Sequence, residues 1–395
     1  MVIEQTEYKQ RQTALAARLD DAGLSGAVVV SRGGSTFDRY ADVLYLSGHY
    51  QSYSYLQDSP GLFSGRAHTA LVISTSGRAI LCVSVSEYEA ASVVADEVRC
   101  SDDFALTVAD AMVSLRLDDG EVGLIGSDVL PLRMGRALAT RLPSVVWRDC
   151  DDLLLAERRI KSRAEQTIIR HATQVHVACL EAAKAAARPG NTEAEVIAAF
   201  GQTALQRGAA IYFSSISSGP HIARWTTRAL PGFGLRRLEE SDMVRFDMGI
   251  VVDGYLSDFG RTLVIGEPSV QQNKLISTLH LGIDAVLDAI GPGKSVRQVV
   301  AAGERALREA GVTANDEGVG TIHASFPIHW GHGLGLGWER PWLAESETLD
   351  ILPGMYLAVE RTLTATGTGT AAAEQTLLVN ERGIEILSES KDSRW

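Results

Sequence analysis

The sequence predicts a protein of two domains, an α/β domain followed by an α+β domain that is built from two similar halves. Three observations lead to this fold class. The chain has 395 residues, which is too long for one compact core. Short β-branched runs alternate with helix-like stretches in its first part. A Pro-Gly segment recurs in its second part, which indicates related halves.

The first domain is predicted over residues 1–155. Apolar residues recur at helical spacing over 5–23 and again over 131–142, which predicts amphipathic helices. Short apolar runs predict buried strands, namely GAVVVS (26–31), TALVIST (69–75), AILCVSV (79–85), VGLIG (122–126) and SVVW (144–147). Helices and strands in alternation are typical of an α/β layer domain.

The second domain is predicted over residues 156–395, because the charge-dense segment 151–166 leads into a helix expected to run to about Ala187. Within this domain, PGNTEAEVIAA from Pro189 resembles PGKSVRQVVAA from Pro292. Pro-Gly before a capped helix is common in unrelated sequences, so coincidence remains one explanation. The other is a domain of two similar halves, whose interface is a natural place for a site.

Composition and charge limit the classes of binding partner and the cellular compartment that we expect. The formal net charge of −12 argues against binding to nucleic acid or to an anionic membrane, since both need clustered Lys and Arg. The N-terminus is charged where a secretory signal would be apolar, and no apolar run approaches the roughly 18 residues of a membrane span. The four cysteines show no CxxC spacing. We therefore expect a cytoplasmic protein with neither nucleic-acid nor membrane partners.

Residues 242–266 predict a β-hairpin, because the Asp-Gly pair at 253–254 is a strong two-residue turn signal between apolar runs. With that turn, Asp258 would lie opposite Gly249. Asp247 is two residues from Gly249 and would share its face of the sheet. The two aspartates would then be diagonal neighbours, within reach of one ion.

Two carboxylates on one buried face repel each other unless they are protonated or bind a cation. A metal site would therefore explain Asp247 and Asp258. An equally good explanation is that each aspartate pairs with an arginine, such as Arg245 or Arg261. This stretch alone leaves both interpretations open.

Further along the chain, an imidazole and two carboxylates favour the metal. His332 follows the strand-like ASFPIHW, Glu360 ends the strand-like MYLAVE, and Glu374 lies within AAEQTLLV. A glutamate in an apolar strand is unfavourable unless it is paired or bound to a metal. Four carboxylates with one imidazole suit Mn²⁺, Co²⁺, Fe²⁺ or Zn²⁺, and bridging carboxylates suit a pair of ions.

The order and spacing of these residues resemble the metal signature of the M24 metallopeptidases, which include Xaa-Pro aminopeptidases, prolidases and methionine aminopeptidases. The resemblance covers the whole chain, since YLSG (45–48), RRIKSRAEQ (158–166) and ARPGNTEAE (187–195) also look like family segments. It implies a creatinase-like N-terminal domain and a "pita-bread" catalytic domain with pseudo-twofold halves. The implied metal ligands are Asp247, Asp258, His332, Glu360 and Glu374.

The resemblance also implies a role for each ligand. Asp247 would hold one ion, His332 and Glu360 the other, and Asp258 and Glu374 would bridge the two. The cofactor would be two divalent ions, manganese before zinc, cobalt or iron, and a bridging hydroxide would attack the substrate. The substrate would be a short peptide or another small molecule.

One position departs from the family pattern GHGIGLxxHExP, in which a second histidine follows the metal-binding histidine by seven residues. This chain reads GHGLGLGWERP, and counting seven residues gives Glu339. Three roles for Glu339 stay open. It could form a salt bridge with Arg340 or Arg361, bind a cationic substrate group between Trp338 and Trp342, or act as a general acid in catalysis.

Other candidate residues follow from the same comparison. His329 either supports the metal ligands in catalysis or packs in the core. The upstream stretch SGPHIARWTTRALPG has His221 too early for the family's other outer histidine, so Trp225 or Arg228 could occupy that part of the substrate pocket. Ala372 stands where the family has an arginine.

Family members are often dimers in which the N-terminal domain of one chain closes the site of the other. We therefore expect a homodimer. In that arrangement His49 and Tyr50, from the loop YLSGHYQSY, are candidate substrate contacts.

Three functions compete at this point. The leading one is a dinuclear hydrolase that resembles Xaa-Pro aminopeptidases and dipeptidases and cleaves a peptide or amide bond. The alternative is a non-peptidase relative acting on a small cationic molecule, by creatinase-like C–N hydrolysis or by an elimination like that of dimethylsulfoniopropionate lyase. A binding protein on an inactive scaffold is the third, and the five intact ligands argue against it.

Overall fold

The structure is a computed structural model that describes residues 3–33, 40–59, 61–86, 88–223, 232–325 and 329–389. The chain divides into two compact units between Arg158 and Arg159. The sequence predicts this boundary slightly earlier, between residues 155 and 156. Among the described residues, no helix is both long and apolar enough to span a bilayer.

The first unit is a mixed α/β layer, as predicted. Its strands form one sheet in the order β4-β3-β2-β1-β5-β6, in which β1 pairs antiparallel with β2 and parallel with β5. The elements in chain order are α1 (Gln5–Asp21), β1 (Gly26–Arg32), α2 (Ala41–Ser47), β2 (His68–Ser74), β3 (Ala79–Val83), β4 (Glu97–Cys100), α3 (Phe104–Ser114), β5 (Gly120–Ile125), α4 (Leu132–Arg141), β6 (Val145–Asp149) and α5 (Asp151–Arg158).

The predicted strands β1, β2 and β3 form the buried middle of this sheet. The run SVVW was also expected to be buried, and that expectation is wrong. It forms the edge strand β6, in which the side chain of Val146 is 57% exposed. An edge strand packs against one neighbour only, so a run of β-branched residues indicates a strand here but not its depth.

The second unit contains the candidate site. Its elements in chain order are α6 (Arg163–Ala186), α7 (Glu193–Gln206), β7 (Ala210–Ser218), β8 (Met243–Val252), β9 (Tyr255–Val264), α8 (Val270–Ala289), α9 (Val296–Glu309), β10 (Ile322–Ala324), β11 (Gly331–Leu334), β12 (Trp338–Trp342), β13 (Tyr356–Ala365), β14 (Gly369–Asn380) and β15 (Gly383–Ile386). The strands form two sheets, ordered β7-β8-β9 and β12-β11-β13-β14-β15, with β10 paired to β13.

The two halves predicted from the Pro-Gly repeat are present in this unit. Each half has two consecutive helices followed by strands that end in a long antiparallel hairpin, β8–β9 or β13–β14. The repeated segments begin equivalent helices, since Thr192 caps α7 and Ser295 caps α9, both through reciprocal capping boxes. Each half also has its own buried apolar cluster.

The β8–β9 hairpin has the predicted register. Val252 pairs with Tyr255, and Gly249 pairs with Asp258. Asp253 and Gly254 both have positive φ, at 49° and 86°, which is the backbone shape of a two-residue turn between twisted strands. The turn therefore fixes which face of the hairpin receives Asp258.

Candidate metal centre

The structure brings the five predicted metal ligands together at the centre of the second unit. Glu360 on β13 lies directly opposite Glu374 on β14. His332 on β11 pairs with Ala358, which places it beside Glu360. The hairpin of the other half contributes Asp247 and Asp258.

Three of these residues form a compact group. Asp258, His332 and Glu374 are buried, and each offers a ligand atom that lies within 4.8 Å of the others. Nε2 of His332 is 3.7 Å from Oε1 of Glu360. The charge of Asp247 acts on Asp258 and on both glutamates, so this fourth carboxylate belongs to the same group. These five residues are called the carboxylate cluster below.

The cluster is electrostatically unfavourable by itself. Burial raises the pKa of Asp258, Glu360 and Glu374 well above the ordinary value of a carboxyl group, and the neighbouring carboxylates raise it further. Burial lowers the pKa of His332 to about 3, so its imidazole is neutral and can coordinate. A pair of divalent cations would remove this repulsion.

Two oxygen atoms in the cluster fit such ions. Oδ1 of Asp258 and Oε1 of Glu374 are buried and have no hydrogen-bond partner within the described part of the chain. A buried carboxylate oxygen without a partner is strongly unfavourable, and metal coordination would satisfy it. The donor set of carboxylates and one neutral imidazole suits a transition-metal ion such as Mn²⁺ or Zn²⁺.

The alternative that an arginine balances Asp258 is not supported. The guanidinium group of Arg261 donates hydrogen bonds to the carbonyl oxygens of Glu374 and Ser388 and to the side chain of Gln375. Arg261 is three residues from Asp258 on the same strand and therefore points from the other face of the hairpin. Arg245 shares a face with Asp247 by the same alternation, and the charge of Asp247 acts on its guanidinium group, so this pairing remains an alternative for Asp247.

His332 is oriented by its own backbone. Its Nδ1 lies 3.2 Å from the carbonyl oxygen of Gly333, and donation from Nδ1 leaves the lone pair of Nε2 directed toward Glu360. Metal-binding histidines usually use the second nitrogen in this way, which fixes the tautomer.

The β11–β12 hairpin determines which side of the strand carries Glu339. On the β11–β12 hairpin His332 pairs with Trp342, whereas Gly333 pairs with Glu339. Glu339 therefore points away from the face that carries His332, and its neighbour Trp338 points toward the cluster. The indole Nε1 of Trp338 donates a hydrogen bond to Oδ2 of Asp258 at 2.6 Å.

The reason lies in the spacing. From the metal-binding histidine to the proline, this chain is one residue shorter than the family pattern, so WERP matches HExP and Trp338 stands where the second histidine would be. Counting seven residues from His332 missed this deletion. The number of residues between His332 and Pro341, compared with that of the family pattern, was the signal in the sequence that could have revealed the deletion.

Glu339 instead forms a buried ion pair with a partner that the sequence analysis did not name. Its Oε2 accepts a hydrogen bond from Nζ of Lys161 at 3.0 Å, and both side chains are at most 4% exposed. Arg361, one of the expected partners, donates to Glu304. The carboxylate charge of Glu339 is thus balanced inside the protein, which favours the salt-bridge role over the catalytic and cation-binding roles.

His329 and Trp342 border the cluster. Nδ1 of His329 is 3.5 Å from Oε1 of Glu360 and accepts a hydrogen bond from the backbone N–H of Gly331. Burial, with the nearby Arg361, lowers the pKa of His329. The ring of Trp342 lies 5.3 Å from that of His332, and the side chain is 40% exposed, so it forms part of the wall of the site.

A cavity of about 900 Å³ lies on the same strands as the cluster, and its lining contains none of the five cluster residues. Its lining includes Arg245 and Thr362, each two residues from a cluster carboxylate on the same strand face. His221 ends a short turn after β7, and the residues on either side of it, Pro220 and Ile222, line the cavity. From the sequence alone, Arg245 is expected only as a counter-ion of an aspartate.

Four candidate residues remain to be considered. Trp225 and Arg228 fall outside the described residues. His49 is buried in the first unit, where burial lowers its pKa to about 4, and Tyr50 stacks edge-on against Tyr40. A contact between these two residues and a substrate stays a prediction.

Family models match both units of the chain. Residues 11–160 match the creatinase/prolidase N-terminal domain, and residues 167–381 match metallopeptidase family M24. The second match covers more than half of the chain and contains the whole carboxylate cluster.

Individual proteins are similar over nearly the full length. The probable dipeptidase PepE of Mycobacterium tuberculosis is 29% identical over 95% of this chain and 93% of its own length. The structure of dipeptidase PepE from Mycobacterium ulcerans has a TM-score of 0.79 at 26% identity, covering 99% of this chain and 98% of that one. The prolidase from Pyrococcus horikoshii shares the fold, with a TM-score of 0.80 at 21% identity over 97% of this chain and 99% of that one.

Proposed function

The chain belongs to metallopeptidase family M24, and from this membership we propose that it is a dipeptidase that uses two divalent metal ions to hydrolyse a peptide bond. The observation that carries the proposal is the carboxylate cluster, with its two buried oxygen atoms that have no hydrogen-bond partner in the described chain. The mycobacterial relatives described as dipeptidases support the choice of substrate class.

We assign to each ligand the role that the family resemblance implies. Asp247 would hold one ion and His332 with Glu360 the other, while Asp258 and Glu374 would bridge them. Bound divalent ions would polarise the scissile carbonyl and make water acidic enough to attack it near neutral pH. The surrounding protein keeps the imidazole of His332 neutral and, through Trp338 and Trp342, shields the cluster from bulk water.

The substrate would extend from the cluster into the cavity lined by Arg245 and Thr362. Arg245 is 2% exposed and supplies a guanidinium group beside the cluster, which suits the terminal carboxylate of a dipeptide. Thr362 and Thr364 add hydroxyl groups along the same wall. Manganese as the metal, a homodimer and a cytoplasmic location are further parts of the proposal.

The test is an assay of purified protein after removal of metal and reconstitution with Mn²⁺, Zn²⁺ or Co²⁺. We expect two ions per chain by elemental analysis and hydrolysis of Xaa-Pro or other dipeptides, with amidation of the terminal carboxylate raising KM. Two bound ions without hydrolysis of any dipeptide in a broad panel would reject the peptidase assignment.

A small cationic substrate is the second candidate, because the half-exposed rings of Trp338 and Trp342 could flank a quaternary amine. The pairing of Glu339 with Lys161 weakens it, since the expected anionic anchor is already neutralised. Turnover of quaternary ammonium or sulfonium compounds in place of dipeptides would favour this candidate.

A further inference from the structure

Trp338 is held against the carboxylate cluster from several sides. Its ring packs edge-on against Tyr212 at 5.4 Å and lies 5.8 Å from Phe213, both on β7. The ring of His332 is 6.2 Å away. The indole N–H of Trp338 therefore has a defined direction, toward Oδ2 of Asp258.

The two oxygens of Asp258 consequently differ. Oδ2 accepts the indole hydrogen bond at 2.6 Å, whereas Oδ1 is buried without a partner in the described chain. If Asp258 bridges two ions, as the proposed function has it, each of its oxygens would serve one ion. One ion can use Oδ1 directly, but an ion at Oδ2 must share or displace the donor that is already there.

A first ion needs only one oxygen of Asp258, and Oδ1 has no hydrogen-bond partner in the described chain. Asp258, His332 and Glu374 provide three ligand atoms within 4.8 Å of one another, and one oxygen of Asp258 is enough for that group. Three protein ligands are sufficient for a catalytic metal ion of this type.

We propose that Trp338 makes the two metal positions unequal, because its hydrogen bond to Asp258 competes with the second ion and leaves the first ion unaffected. The inference rests on the metal centre of the proposed function. Tryptophan at this position would then be a positioning residue that sets how much metal fills the second position.

The size of the effect follows from the type of bond. A hydrogen bond to a charged group is strong enough that removing it should tighten the second dissociation constant about tenfold to a hundredfold. The first dissociation constant should not change.

The experiment is calorimetric titration of metal-free protein with Mn²⁺, comparing the wild type with Trp338→Phe and Trp342→Phe. Phenylalanine keeps an aromatic ring in each position but removes the N–H group. Trp342 is the matched control, since it lies on the same strand at a similar exposure and also contacts His332. Tryptophan emission is recorded in parallel, because displacement of the indole hydrogen bond should change the emission of Trp338.

The wild type and Trp342→Phe should bind two ions in separate steps, with an emission change at the second step. Trp338→Phe should bind the second ion at least about tenfold more tightly and lack that emission change. An unchanged second constant in Trp338→Phe overturns the inference, as does weaker binding in both steps, which would mean that the indole supports Asp258 as a ligand.

Failure of the inference and failure of the proposed function are distinguishable. If wild-type protein binds no metal, the metal-dependent function fails and the inference fails with it. If it binds two ions and cleaves dipeptides while Trp338→Phe titrates like the wild type, only the inference is wrong. Circular dichroism of each variant establishes that it is folded before titration.

Discussion

Two groups of buried acids in the second unit differ in how their charge is balanced. Glu339 lies against Lys161 at 3.0 Å, so its negative charge has a protein counter-charge. In the carboxylate cluster, Asp258 and Glu374 each have a buried oxygen without a partner in the described chain. The two groups are connected by one hairpin, because Trp338 and Glu339 are adjacent and point from opposite faces of β12.

This difference separates structural acids from functional ones. An acid with a buried cation beside it needs nothing further, and removing its partner should damage the fold. An acid whose pKa is raised by burial and by its neighbours needs a bound cation. Substitution of that acid should reduce metal binding and turnover. Each prediction below tests one side of this comparison.

The largest effect is expected for Asp258→Ala. The variant loses a ligand that both ions would share, so metal content should fall and kcat/KM for a dipeptide should decrease at least about 10³-fold. Glu385→Gln is the control, because Glu385 is partly exposed and paired with Arg170. Normal turnover in Asp258→Ala would show that the ligand assignment is incorrect.

The next effect concerns stability. Lys161→Met leaves Glu339 as a buried charge without its cation, and the free energy of unfolding should fall by about 3–5 kcal/mol. Urea denaturation measures it. The double variant Lys161→Met/Glu339→Met removes both charges and should recover most of the loss. A single variant as stable as the wild type would mean that the pair does not matter for folding.

Much of the site could be predicted from local sequence rules. The Asp-Gly turn at 253–254 determines which residue faces Gly249, and the structure has that register. The capped helices after Pro189 and Pro292 indicated the two halves. In these cases the determining contacts lie within a few residues, where turn and capping preferences operate.

Other features could not be predicted because they depend on distant contacts. Lys161 and Glu339 are far apart in the sequence, and no local pattern indicates that they meet. The side of β12 from which Trp338 points depends on a bulge between His332 and Gly333 in the β11–β12 pair. Side chains alternate between the two faces of a strand, so an error of one residue in the count assigns each side chain to the opposite face. Because the segment from His332 to Pro341 is one residue shorter than the family pattern, the count exchanged the roles predicted for Trp338 and Glu339.

A smaller effect of opposite sign is expected for Asp258→Asn without metal. Asparagine keeps the acceptor for Trp338 but removes a charge that is unfavourable among buried carboxylates, so the metal-free protein should melt about 2–4 °C higher at neutral pH. Differential scanning calorimetry with and without Mn²⁺ measures this. Added metal should stabilise the wild type and have little effect on the variant. A lower melting temperature for metal-free Asp258→Asn would show that the cluster is not strained without ions.

The smallest effect is expected for turnover by Lys161→Met/Glu339→Met. If Glu339 bound a cationic substrate group or acted as a general acid, removal of its carboxylate would lower kcat/KM at least about 10²-fold. The structure instead places this carboxylate in a buried pair behind the strand that carries Trp338, so kcat/KM for a dipeptide should stay within about twofold of the wild type, a difference of less than 1 kcal/mol. The assay uses metal-saturated protein at a temperature where both forms are folded. A large loss of kcat with normal metal content would mean that Glu339 takes part in catalysis. Glu339 would then be a functional acid and not a structural one.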